Sequence, residues 1–192
     1  MPAFRSDRYN PGVIARNRKT VDDYMRLPDE TRVELIQGEY CVSPSPSFIH
    51  QQTVVRVTLL LRLHVKSRQL GEVVCAPFDC ILSNEDVVQP DVLFVATANL
   101  GRIRERLHGA PDLVVEVISR THEERDRIVK RDLYLKHGVP EFWIVDPAER
   151  IVEVRTLGAG AWETLGTFSV GDSFSSRILP ELRVAVRDVF EG

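Results

Sequence analysis

Acidic residues set inside apolar runs are where this chain could do chemistry. The sharpest is Glu116, in Leu113-Val-Val-Glu-Val-Ile118, with two apolar neighbours on each side. An ionised carboxylate in such a strand is costly unless something pairs with it. A strand-end glutamate bridged to an arginine is the competing account, and arginine is plentiful in this chain. Asp91 interrupts a second run, Val87-Val-Gln-Pro-Asp-Val-Leu-Phe-Val95. Proline cannot donate to a ladder, so Pro90 puts Asp91 at a strand start, bulge or edge. A plain Asx turn would look the same. Glu34, in Val33-Glu-Leu-Ile36, taken alone is expected to face water from an alternating hairpin. Lys130 lies on a helix predicted after Glu116, four residues beyond Asp126, a spacing that also suits an exposed ion pair. Asp126, Lys130 and Tyr134 share one face of that helix.

Taken together these residues say more. Two carboxylates on adjacent buried strands, a third from a preceding hairpin and a nearby lysine make a hard-cation site. Oxygen ligands of this kind suit Mg²⁺ or Mn²⁺, with water completing the octahedron. Other chemistries lack their signatures. The sequence contains no HExxH, no Cys/His zinc spacing, no GxxxxGK[ST], no GxGxxG and no GxSxG. Ser43, Ser45 and Ser47 lie near His50, but a proline-rich loop before a helix reads as capping.

The elements that must position these groups can be read from periodicity. Thr20-Val-Asp-Asp23 has the layout of a capping box and should open a short helix ending near Pro28. Residues 32–37 and 39–42 form a predicted hairpin turning at Gly38. Ser47 caps a helix to about Gln69, with the stripe Val54, Val57, Leu61 and Val65 and a stop at Gly71. Strands are expected at 72–76, 78–82 and 89–95, with Ser83 to Asp86 as the turn joining the last two. Residues 97–110 read as a surface loop or short helix. Residues 112–118 and 141–145 are continuous apolar runs, as in strands buried on both faces. Between them Thr121 caps a helix over about 122–137, closed by Gly138. Such a strand–helix–strand unit implies a parallel pair. A hairpin over 151–157 and 162–168 and a short C-terminal helix complete an α/β fold, a mixed central sheet flanked by helices. The domain plan is a basic arm, residues 1–19, and a single domain, residues 20–192.

Composition bounds the partners. The chain has 192 residues, 25 Lys plus Arg and 28 Asp plus Glu, a formal charge of −3 that excludes a generally basic nucleic-acid coat. A local cationic face is still open, and Arg102, Arg104, Arg106, Arg120, Arg125, Arg127 and Arg131 cluster between residues 102 and 131. A solvated mixed-charge surface accounts for them equally. Cys41, Cys75 and Cys80 form no CxxC pair and are expected to be reduced, small buried side chains of a cytoplasmic protein. No secretory leader or membrane span is expected: the apolar stretch Val54 to Val65 is broken by Arg56, Arg62 and His64.

Five ordered segments resemble the Uma-type family of bacterial endonucleases with a restriction-endonuclease-like PD-(D/E)xK fold. They are Glu34-Leu-Ile-Gln-Gly-Glu39, Ser45-Pro-Ser-Phe-Ile-His50, Val88-Gln-Pro-Asp91, Ala110-Pro-Asp-Leu-Val-Val-Glu-Val-Ile-Ser119 and Gly138-Val-Pro-Glu-Phe-Trp-Ile-Val-Asp-Pro147. The resemblance covers about residues 20 to 165 and implies a divalent-metal phosphodiesterase. It implies Asp91 and Glu116 as metal-binding carboxylates, with Glu34 as the extra acidic residue. The position two after Glu116 is Ile118 rather than the motif lysine, and Lys130 matches the helix lysine that takes this role in Uma-type relatives. His50 and Gln89 match accessory positions. The implied mechanism is Mg²⁺- or Mn²⁺-assisted hydrolysis, with Asp91, Glu116 and the Val117 carbonyl on the ion and Lys130 stabilising developing charge. DNA is the expected substrate, and a homodimer is compatible with such a nuclease; the hairpin with Trp162 and Phe168 could form its interface, though tryptophan is also ordinary core. RNA as substrate, or a non-catalytic binding protein on the same fold, are the alternatives.

Overall fold

The computed structural model describes residues 18–28, 31–42, 45–119 and 125–191, and for 125–127 the backbone alone. Thr121, Arg120 and the side chains of Arg125, Asp126 and Arg127, all invoked above, lie outside the described residues.

The capping box forms as written. The Thr20 hydroxyl accepts from the Asp23 amide, the Asp23 carboxylate accepts in return from the Thr20 backbone N–H, and helix α1, Val21–Tyr24, follows. Strands β1, Val33–Ile36, and β2, Glu39–Val42, then pair around Gln37 and Gly38, both with positive φ. Two positive-φ residues match the right-handed twist of a tight hairpin. Arg18, assigned from sequence to a basic arm, bridges to Glu85, and the Lys19 amide bonds the Gly38 carbonyl.

Helix α2, Phe48–Arg68, is capped by Ser47, and its buried stripe is the expected Val54, Val57, Leu61 and Val65. Its end differs from expectation. Gln69, not Gly71, takes the left-handed conformation that closes the helix. Gly71 opens strand β3, Gly71–Cys75, at φ +149°, and a Cβ there would lie 2.0 Å from the Val95 carbonyl oxygen. That glycine serves close strand approach. The outer face of α2 is also apolar: Phe48, Val55, Leu59 and Leu63 are exposed.

The segment expected as two strands joined by a turn is three. Strands β4, Cys80–Ser83, and β5, Asp86–Val88, make a hairpin; β6, Val92–Ala96, lies in another sheet. The chain changes sheets across Gln89-Pro90-Asp91. A 3-10 turn over residues 97–102 leads to β7, Leu107–His108. Strand β8, Leu113–Val117, is buried at every position. A π-helical turn, residues 125–130, runs into helix α3, Arg131–Lys136, where one regular helix was expected. Strand β9, Glu141–Asp146, lies parallel to β8, as the crossover requires. Strands β10, Ile151–Leu157, and β11, Trp162–Ser169, form the late hairpin. A small pair not read from the sequence, β12, Ser173–Ser175, and β13, Arg183–Ala185, precedes helix α4, Val186–Phe190.

A six-stranded mixed sheet, ordered β11-β10-β9-β8-β6-β3, is the centre of the fold. On one face Val115, Val117, Phe94 and Trp143 meet the α2 stripe. On the other, Val114, Leu93, Phe142 and Ile144 meet Leu133 and Tyr134 of α3, together with Cys80 and Val88 of a second sheet ordered β2-β1-β5-β4-β7. Being covered on both faces explains why β8 and β9 read as unbroken apolar runs.

Candidate active site

Alternation along β8 decides where Glu116 goes. Leu113, Val115 and Val117 face α2, so Glu116 faces α3 and the second sheet. The register pairs Val92 with Val115, which sets Asp91, one residue before β6, across from Glu116. Glu34 comes to the same place from β1. Both faces of β1 are covered, and Glu34 is 3% exposed, so the expectation that it faces water is wrong. Val33 and Leu35 pack with Tyr24 and Val87, and Ile36 joins the core shared with the central sheet, so the strand has no solvent side.

Lys130 closes the group. It is buried, and its Nζ lies 3.0 Å from both Glu116 carboxylate oxygens and 3.1 Å from Glu34 Oε1. The Glu34 Oε1 also accepts from the Gln89 backbone N–H at 2.9 Å. Asp91 Oδ2 accepts from the Val117 N–H at 2.8 Å and lies 3.3 Å from His50 Nε2. Ser47 caps α2 at the His50 amide, which holds His50 in the first turn beside Asp91. All the sequence-named residues therefore meet at one place, but Val117 takes part through its N–H. Ile118, at the motif-lysine position, is buried in the core below, and the only ammonium among the described groups of this site comes from Lys130.

Tyr134, placed by the sequence on the Lys130 helix face but given no role, also takes part. The Tyr134 hydroxyl donates to Glu116 Oε1 at 2.5 Å. Burial, then the nearby Glu116 and Glu34 charges, pushes its phenol well above the ordinary range, so it stays a donor. Its signal was the helical i+4 spacing from Lys130.

Among the described residues, no group of three or more His, Cys, Asp or Glu stands assembled as a metal cluster. The donor chemistry nevertheless fits a hard divalent ion. Every candidate carboxylate ligand is an oxygen donor; Glu34 and Glu116 share the Lys130 ammonium, and Asp91 stands beside them on the Val117 N–H and His50. Asp91 is the member solvent reaches: its side chain is 18% exposed, against 3% for Glu34 and Glu116.

Glu34 of β1, Asp91 at the crossover between the sheets, Glu116 of β8 and Lys130 of the turn before α3 are thus gathered between the two sheets of an α/β scaffold. The chain belongs to the Uma2 family, described as "putative restriction endonuclease", which it matches over residues 21–187. It is similar in structure to a "putative nuclease belonging to DUF820" from Anabaena variabilis ATCC 29413, at TM-score 0.78 and 22% identity, covering 89% of this chain and 97% of that one. At that identity the likeness establishes the restriction-endonuclease-like fold. No curated protein matches the chain. Among the described residues no helix is long and apolar enough to cross a membrane.

Proposed function

We propose that the chain is a divalent-metal-dependent endonuclease that hydrolyses phosphodiester bonds in DNA. The observation that carries this reading is the pairing of Glu34 and Glu116 with one buried lysine, with Asp91 set across from Glu116. Asp91 and Glu116, with the Val117 carbonyl, would hold Mg²⁺ or Mn²⁺. The ion would supply Lewis acidity at the phosphate and lower the pKa of a bound water. The chain's own residues do the rest. Lys130, fixed between Glu34 and Glu116, sets a positive charge where the phosphorane becomes more negative. The Val117 N–H and His50 hold the Asp91 carboxylate in one orientation, and the Gln89 N–H does the same for Glu34. Tyr134 keeps Glu116 facing Lys130.

The site works in a single domain spanning residues 20–192, in the reducing cytoplasm. The free thiols, with Cys75 exposed, support that compartment, although exposure at Cys75 departs from the expected buried role. A homodimer belongs to the same proposal, but not through the hairpin rings. Trp162 donates to the Arg131 carbonyl and packs on Phe142, and Phe168 stacks on Phe174, so both are spent within the chain.

The test is nicking of supercoiled plasmid DNA with Mg²⁺ or Mn²⁺, and with chelator. Wild type should cut only with metal, and Asp91→Ala and Glu116→Gln should lose at least about 10²-fold in rate. Equal cutting by wild type and Asp91→Ala would sink the assignment. A second reading, a nucleic-acid-binding protein without catalysis, draws on Glu116 having both oxygens held by Lys130. It predicts DNA binding with no cleavage by any form. A parallel assay on RNA separates the substrates.

A further inference from the structure

Gln89 faces two ways. Its backbone N–H serves Glu34, while its side-chain Nε2 donates to Asp79 Oδ1 at 2.8 Å and reaches the Tyr24 hydroxyl at 3.4 Å. Asp79 collects further donors: the Tyr24 hydroxyl at 3.0 Å on Oδ1 and Arg106 Nε at 2.9 Å on Oδ2. Burial, then the Asp79 charge, pushes the Tyr24 phenol above its ordinary range, so it too remains a donor. This second polar network borders an open cavity of about 290 Å³ lined by Pro77, Phe78, Asp79, Gln89, Glu105 and Arg106.

The cavity is built around an aimed arginine. Anchoring Arg106 by Nε fixes the plane of its guanidinium, and the terminal nitrogens are the part that can meet a ligand. Its side chain is 37% exposed, and its next acidic neighbour, Glu105, is 3.8 Å away and itself 94% exposed, so that second pairing is weak. Pro77 and the half-buried ring of Phe78 give the cavity an apolar wall. Two carboxylates in the lining weigh against a small free anion held by charge alone. They suit a nucleotide unit, whose phosphate meets Arg106 while base N–H donors meet Asp79 or Glu105.

We infer that this cavity is a substrate subsite. It takes the nucleotide adjoining the scissile phosphodiester, with Arg106 on a flanking phosphate and Phe78 against the nucleoside. The subsite rests on the endonuclease reading above, and Gln89 is the physical link between the two. Arg106 is a positioning residue here, and Asp79, Tyr24 and the Gln89 amide hold it in aim.

The experiment measures binding of a labelled DNA oligonucleotide in chelator, across a salt series, and cleavage kinetics with Mg²⁺. Arg106→Gln should bind about 5–10-fold more weakly, and its log–log salt slope should fall by about 1, the loss of a single phosphate contact. Its KM should rise with kcat nearly unchanged. Phe78→Ala should weaken binding with the slope kept. Arg183→Gln, on the remote strand β13, should change neither. Should Arg106→Gln fail to fold, Arg106→Lys decides: it keeps the charge and the slope but loses the fork, so KM should still rise. Wild-type affinity and slope in these variants, while wild type itself binds and cuts DNA, would overturn the subsite and leave the endonuclease reading standing. Absence of binding and cleavage in wild type would remove both.

Discussion

Helix α3 and the turn before it hold two buried carboxylate clusters, and they are resolved in opposite ways. At the far end Asp86 is fully buried and alone. It accepts from the Gln37 N–H at 2.7 Å, Ser83 Oγ at 2.8 Å, Lys136 Nζ at 2.9 Å and pairs with His137 Nε2 at 2.9 Å. Burial raises its pKa, but these partners outweigh that and hold it at about 2. At the near end one ammonium, Lys130, serves two glutamates, with Asp91 beside them. The first cluster has more donors than charge and is a clamp between the second sheet and α3. Among the described residues the second sets two glutamates and a neighbouring aspartate around one ammonium, an arrangement that would suit a metal ion under the reading proposed above. Burial of acidic residues alone does not distinguish the two; among the described residues the number of carboxylates gathered at one ammonium does.

The sharpest way to break that contrast is Lys130→Met. It leaves Glu34 and Glu116 facing each other without their cation, at a cost of about 3–5 kcal/mol in stability. Activity should fall by at least about 10²-fold. Adding Glu34→Gln and Glu116→Gln should restore much of the stability, read by urea titration, and none of the cleavage. Recovery of cleavage in the triple variant would show that the cluster is structural.

Asp86→Asn tests the other half. It should cost about 2–3 kcal/mol while leaving the activity per folded molecule near wild type. The pH dependence has a definite sign. A depressed folded pKa stabilises the native state at pH values above the unfolded value of 3.8, and that contribution is lost as pH falls toward about 2. The wild-type unfolding free energy, read by denaturant titration, should therefore drop by about 2 kcal/mol between roughly pH 5 and pH 2 from this group, and Asp86→Asn should lack that component. An identical acid limb in both forms would reassign the stabilisation.

Much of this contrast was legible in the sequence, and the gaps have physical causes. Apolar runs of period two or with both faces covered located β1, β2, β8 and β9, because burial leaves a direct imprint on residue type. Glu116 and Asp91 stood out since each breaks such a run. Glu34 did not, because its strand alternates as an exposed hairpin would; the covering of both faces comes from elements distant in sequence. The split of 86–96 into two strands in two sheets was marked only by Pro90, and three-residue strands such as β12 leave too few positions to show a period. Lys130 was marked by its place on the helix after Glu116 and given a role by the family resemblance, whereas its π-helical turn has no sequence signature. Gly71 was misread since a glycine after a helix suits either a cap or a close strand contact.

Metal uptake gives a smaller, cleaner discrimination. If the near cluster takes Mg²⁺, the ion at tenfold excess over its Kd should stabilise wild type by about 1.4 kcal/mol, seen as a higher Tm. Glu116→Gln should lose the shift and Asp86→Asn should keep it. A shift of the same size in Glu116→Gln would place the ion elsewhere.

Tyr134→Phe is the mildest probe, and it asks whether the near cluster is tuned as well as charged. The hydroxyl is buried and donates to Glu116 Oε1, which Lys130 also approaches. Removing it deletes one donor from a carboxylate that keeps its ammonium, and the ring still packs on Phe142 at 5.2 Å. The loss in stability should be about 1.5 kcal/mol, the low end for a hydrogen bond to a charged group, because Lys130 still holds the carboxylate. Glu116 would then be less firmly held, so Mg²⁺ should bind at least as tightly as in wild type while cleavage falls only a few-fold. If Mg²⁺ affinity fell together with cleavage, the hydroxyl would be supporting the ion's ligand geometry instead of competing for Glu116.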